Sequence, residues 1–161
     1  MAIVILNGPV RSGKTTRLRR WLQNLPEKAA GILSPDLGGM KILQDVETGE
    51  IFRFEIGLDE QPRGDLVQFG RFRFDGAAFS RAREVLLSAR AKHPRWLIVD
   101  EVGPLELQGR GFEPALGQLV EFYRNPKQGE KLLLVVRESL LERILRHYRI
   151  SEYASFEEYA K

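Results

Sequence analysis

The chain has 161 residues, 43% hydrophobic and 29% charged, values that exclude disordered, fibrous and collagen-like classes and predict one globular domain over 1–161. It contains no cysteine, which excludes disulfide frameworks and thiolate metal sites. Its net charge of +3 comes from 25 basic residues interleaved with 22 acidic ones, a balance that suits anionic partners without indicating a general nucleic-acid surface.

The opening "MAIVILNGPVRSGK" has no basic segment ahead of its short apolar run, and no apolar stretch approaches the roughly 18 residues of a membrane span. A cytoplasmic protein without membrane contact is expected. "AIVIL" at 2–6 is continuous rather than alternating, as in a strand covered on both faces. Behind it, Leu18, Trp21, Leu22 and Leu25 share one helical face, and the basic cluster "RLRRW" at 17–21 reads as that helix's solvated side.

Between this strand and helix lies "GPVRSGKT", a full match to G-x-x-x-x-G-K-[ST] in the strand-loop-helix setting that the motif requires. Gly8 and Gly13 permit a tight turn that brings backbone N–H groups against phosphate oxygens, and the following helix directs its N-terminal dipole at the same charge. Gly8, Pro9, Val10, Arg11, Ser12, Gly13, Lys14, Thr15 and Thr16 are therefore nucleotide-binding candidates. Lys14 is expected to bridge β- and γ-phosphates and Thr15 to place its hydroxyl on Mg²⁺. Arg11, at the apex, either touches phosphate or faces solvent.

Residues 40–56, "MKILQDVETGEIFRFEI", alternate Phe52, Phe54 and Ile56 with Arg53 and Glu55 around a Thr48-Gly49 turn, which predicts a β-hairpin. Residues 57–70 read as a loop. Phe79, Ala82, Val85, Leu86 and Ala89 mark a helix, followed by the buried strand "WLIV" at 96–99. Phe112, Leu116, Leu119, Val120 and Tyr123 mark another helix before the strand "LLLVV" at 132–136. Leu140, Leu141, Ile144, Leu145 and Tyr148 mark the last, with Ser139 and Glu142 as a capping box. This alternation predicts a P-loop three-layer αβα sandwich with a mainly parallel sheet, an added hairpin around 40–56, and ligands at the carboxyl ends of the strands.

Asp100 ends "WLIV" and is the expected Mg²⁺ ligand, since a phosphate loop needs a carboxylate at the end of a neighbouring buried strand. Glu101 follows on the other side of the strand and is the expected general base for an attacking water, against a salt-bridged surface role. Glu106 lies beyond Gly103-Pro104, where it fixes the loop or contacts the nucleotide. Arg137 directly follows the third strand and either contacts the γ-phosphate or pairs with Glu138 or Glu142.

With these residues assigned, the chain resembles the small P-loop nucleoside-triphosphatase family, also called the cancer-related nucleoside-triphosphatase family. The likeness runs through "NGPVRSGKTT", "AGILSPD" with its following hairpin, "FGRFRFD", "LIVDEVGPLEL" and "GRGF", and "DEVGPLEL" is its most specific string. The resemblance implies Mg²⁺-dependent hydrolysis of several nucleoside triphosphates to diphosphate and phosphate, with 8–15 and 100–107, including Gly103 and Glu106, lining the nucleotide site. "GILSPDLGG" departs from the family pattern, with an aspartate and no nearby arginine.

Three functions compete: triphosphate hydrolysis by water; a nucleotide or small-metabolite kinase whose acceptor is clamped by Arg63, Arg71 and Arg73; and a nucleotide-gated RNA-binding module. Hydrolysis ranks first because Glu101 belongs to the phosphate edge. The absence of an N-K-x-D string favours relaxed base selectivity.

Overall fold

A computed structural model describes residues 1–9, 12–126 and 128–160. In chain order its elements are β1 (Ile3–Gly8), α1 (Lys14–Asn24), β2 (Ala29–Leu33), β3 (Asp36–Leu37), β4 (Met40–Asp45), β5 (Ile51–Arg53), β6 (Leu66–Phe69), β7 (Phe72–Asp75), α2 (Gly76–Ala91), β8 (Trp96–Val102), α3 (Pro104–Leu107), α4 (Ala115–Phe122), β9 (Lys131–Arg137), α5 (Leu141–His147) and β10 (Ala154–Ser155).

The main sheet runs β10-β1-β9-β8-β2-β4-β3, with β5 also on β4. Its β10, β1, β9, β8 and β2 are parallel, and β4 joins β2 antiparallel. The continuous apolar runs explain why this centre is covered on both sides. Along β8, Leu97 and Val99 enter one core with α2 and α4, while Trp96 and Ile98 enter the other with α1. β9 divides in the same way, Leu132, Leu134 and Val136 against Leu133 and Val135. Each such side chain contributes on the order of 1.5–3 kcal/mol when fully buried.

The expected hairpin forms from β4 and β5, with Leu43 opposite Phe52. Three local expectations change. The strand β2 has too little apolar bulk in "AAGIL" to be read as buried. Its Gly31 (φ 124°) lies so close to β8 that a Cβ there would sit 2.1 Å from the Ile98 carbonyl oxygen. Residues 66–69 are a strand rather than loop, paired with β7 in a second hairpin. Ser139 does not cap the last helix: it lies inside a single 3₁₀ turn, Glu138–Leu140, and α5 begins after Leu140 without a side-chain cap. Phe112 likewise falls in turns ahead of α4.

Among the described residues, no helix is long and apolar enough to cross a membrane.

Candidate active site

The sheet order decides where the chemistry lies. β9 separates β1 from β8, and pairing places Gly8 beside Arg137 and Val102 beside Val136. The end of β1, Arg137 and the Asp100-Glu101 pair therefore lie on three adjacent strands at the carboxyl edge.

At the start of α1, Gly13 holds a left-handed conformation (φ 79°) that a Cβ would strain. It has no side chain to cap the helix, so the first-turn N–H groups stay available to an anion. Lys14 folds back over the loop, donating from Nζ to the carbonyls of Gly8 at 3.2 Å and Pro9 at 2.9 Å. Val10 and Arg11, both named above as candidates, lie outside the described residues.

Asp100 is buried, and its Oδ2 accepts the Thr15 hydroxyl at 2.9 Å and the Ser34 backbone N–H at 3.1 Å. Burial pushes this carboxyl up to about 6, the charge of Glu101 acts the same way, and the two hydrogen bonds oppose the rise. Sequence reasoning missed Ser34; its only signal was the family-like string "AGILSPD".

The β8–β9 register shifts between Val99 and Val102, and this irregularity contains Asp100 and Glu101. Strict alternation is thereby broken. Glu101 meets two cations, with Oε2 3.8 Å from Lys14 Nζ and Oε1 3.9 Å from an Arg137 terminal nitrogen. Arg137 is thus drawn to Glu101, and among the described residues it forms no ion pair with Glu138 or Glu142. Its Nε is buried with no hydrogen-bond partner among the described residues, so a donor remains to be satisfied.

Ser12, Gly13, Lys14, Thr15, Thr16, Glu101 and Arg137 open onto one cleft of about 770 Å³, which Arg19, Lys41 and Arg71 also line. Gly103 and Glu106 lie on an adjoining cavity instead. Glu106 is 3% exposed and accepts the backbone N–H groups of Gly103 at 2.8 Å and Phe112 at 2.9 Å, tying the end of β8 to the turns before α4. Burial pushes it up to about 7, against those two bonds. The Arg73 side chain binds the carbonyls of Gly57, Leu58 (2.7 Å) and Glu60 (3.2 Å), so it braces the 57–60 loop and is not free to clamp an acceptor.

Among the described residues, no group of three or more His, Cys, Asp or Glu side chains is arranged to cage a metal. The adjoining Thr15 hydroxyl and Asp100 carboxylate are hard oxygen donors, and a pair of this kind fits Mg²⁺, which keeps waters and binds substrate phosphates rather than an all-protein cage.

Comparison with known proteins places the chain among nucleoside-triphosphatases. A family described as NTPase matches residues 3–157. The nucleoside-triphosphatase THEP1 of Pyrococcus abyssi is 28% identical over 140 residues, covering 81% of this chain and 72% of that protein. The crystal structure of THEP1 from the hyperthermophile Aquifex aeolicus superposes with a TM-score of 0.72 at 17% identity, over 96% of this chain and 88% of that one. The solution structure of a human cancer-related nucleoside triphosphatase gives 0.63 at 20% identity, over 96% and 87%.

Proposed function

We propose, starting from the fact that this chain belongs to the NTPase family, that it hydrolyses nucleoside 5'-triphosphates, ATP and GTP among them, to nucleoside diphosphate and phosphate with Mg²⁺. The observation that carries this reading is the meeting of Lys14, Arg137 and Glu101 at one edge, with Thr15 and Asp100 hydrogen-bonded beside them.

The first-turn N–H groups of α1 and the loop backbone receive the phosphates. Lys14 exchanges its carbonyl partners for β- and γ-phosphate oxygens, which gain more from a full positive charge than neutral carbonyls do. Thr15 and Asp100 would hold Mg²⁺, which when bound neutralises charge on the β- and γ-phosphates. Glu101 orients a water and takes its proton as the water oxygen attacks the γ-phosphorus and the bond to the β–γ bridging oxygen breaks. Arg137, whose terminal nitrogen reaches the cleft beside Glu101, sets its guanidinium charge against a γ-phosphate oxygen as charge develops there.

The test is phosphate release from ATP, GTP, CTP and UTP, with and without Mg²⁺, by wild type and Glu101→Gln. General-base catalysis contributes about 10²–10⁴-fold. The variant should lose activity on that scale while still binding nucleotide; unchanged hydrolysis would remove Glu101 from the role.

A further inference from the structure

Behind Glu101 and Arg137 the structure opens a second cavity, of about 160 Å³. Its walls are aromatic: Phe54, Phe72, Phe74, Phe79 and Phe112 come from β7, α2 and the segments around them. Phe54 and Phe74 stack at 4.5 Å with planes 12° apart, and Phe74 and Phe72 continue the stack at 6.1 Å and 8°. The outer ring of this ladder, Phe72, is 41% exposed, and its cross-strand partner Phe69 is 37% exposed. Exposing two adjacent aromatic rings at a cavity mouth is unfavourable in water and is relieved when a further ring covers them.

The cavity meets the phosphate cleft at Ser34, Lys41, Phe72, Glu101 and Arg137, and touches none of Ser12–Thr16. An occupant therefore lies beyond the γ-phosphate. A separate hollow of about 370 Å³ lies against Gly13, Thr16, Arg17, Trp21 and Phe156, sharing no residue with this cavity and leaving room elsewhere for the nucleoside end. A single ring fits the aromatic cavity, since an apolar cavity of about 150 Å³ holds benzene.

We propose that this cavity binds a second substrate, a small molecule built on one planar aromatic or heteroaromatic ring with a hydroxyl directed at Glu101, and that this hydroxyl takes the γ-phosphoryl group in place of water. The inference rests on the hydrolysis reading for the phosphate side of the site. The acceptor oxygen bonds to the γ-phosphorus, the bond to the β–γ bridging oxygen breaks, and the hydroxyl proton passes to the same carboxylate that takes water's. The products are nucleoside diphosphate and a phosphate monoester. Glu101 lines both spaces, so one base serves either acceptor.

The probe is 4-fluorobenzyl alcohol, given to the full chain with ATP and Mg²⁺ and followed by fluorine and phosphorus NMR. Binding should shift the fluorine signal, and a fluorobenzyl phosphate resonance should appear beside inorganic phosphate. Leu105→Phe, which adds bulk to the cavity wall, should weaken probe binding at least fivefold and abolish the ester, and Phe69→Ala, at the mouth and outside the phosphate cleft, should weaken probe binding while ATP hydrolysis without probe stays at the wild-type rate. Phe72→Ala, at an exposed hairpin position where folding is not at risk, should also weaken probe binding. An unshifted fluorine signal, equal binding by the variants, or bound probe with phosphate as the sole product would each overturn the proposal. Ester formation by a protein that releases no phosphate without the probe would overturn the hydrolysis reading and support the transfer. Normal phosphate release with no probe binding would do the reverse.

Discussion

Replacing Glu106 by glutamine separates the cost of a buried charge from that of a lost acceptor. Both carboxyl oxygens accept backbone N–H groups, from Gly103 and Phe112. At pH 5 the wild-type side chain is the neutral acid, and its hydroxyl oxygen can still receive one of these N–H groups. The amide nitrogen of glutamine cannot, so one buried donor loses its partner at a cost of about 1–3 kcal/mol. For a chain of this length that lowers the Tm by roughly 2–12 °C. Burial raises Glu106 from 4.5 in an unfolded chain to about 7, so the native state binds more protons in that interval. Its stabilising contribution is complete below the lower value and is lost as pH rises through the upper one. At about 1.4 kcal/mol per pH unit this amounts to about 3 kcal/mol. Glutamine carries no such slope, so the gap between the two proteins should close, or change sign, by pH 8.5. Urea unfolding of both proteins at half-unit pH steps measures it, because other groups titrate alike in each and cancel in the difference. Parallel stability curves from pH 5 to 8.5 would refute the reasoning.

Asp100→Asn removes a charge that burial already disfavours, so thermal unfolding at pH 8 should show equal or greater stability, while triphosphate hydrolysis falls about 10–100-fold because a neutral amide holds Mg²⁺ more weakly than a carboxylate. A destabilised protein or full activity would contradict this assignment. Gly31→Ala should destabilise by more than about 3 kcal/mol, because its Cβ collides with the Ile98 carbonyl at 2.1 Å in a backbone region that L residues resist; a shift in urea midpoint smaller than that would show that β2 can retreat.

The elements legible in the sequence were those whose side chains meet one environment throughout. β1, β8 and β9 are apolar on both faces, and "GPVRSGKT" declares its turn, helix start and lysine in consecutive residues. β2 was not legible, since Ala29, Ala30 and Gly31 owe their burial to a neighbouring strand rather than to their own bulk. β6 is mostly exposed and pairs with β7 alone, so it carries no core-facing signal. At the site, the apolar run "WLIV" pointed to Asp100 just beyond it, although β8 itself continues to Val102. The approach of Glu101 to Lys14 and Arg137 depends on a register irregularity between β8 and β9, which belongs to their pairing and not to either segment. The aromatic cavity gathers phenylalanines from 54 to 112, a set that no local window contains.

The position of β9 also governs when the protein acquires its chemistry during synthesis. The chain makes β1 and then β8, but the strand that belongs between them comes from 131–137 and reaches the middle of the sheet last of the three. Two strand spacings of about 4.8 Å separate β1 from β8, so β9 acts as a gauge that sets the strands carrying the phosphate loop and the acidic pair about 10 Å apart, the distance their side chains bridge. A nascent chain with Lys14 and Asp100 already made still lacks both that gauge and Arg137. A truncated chain ending before β9 is therefore expected to release no phosphate from triphosphate, which a phosphate-release assay on such a chain checks.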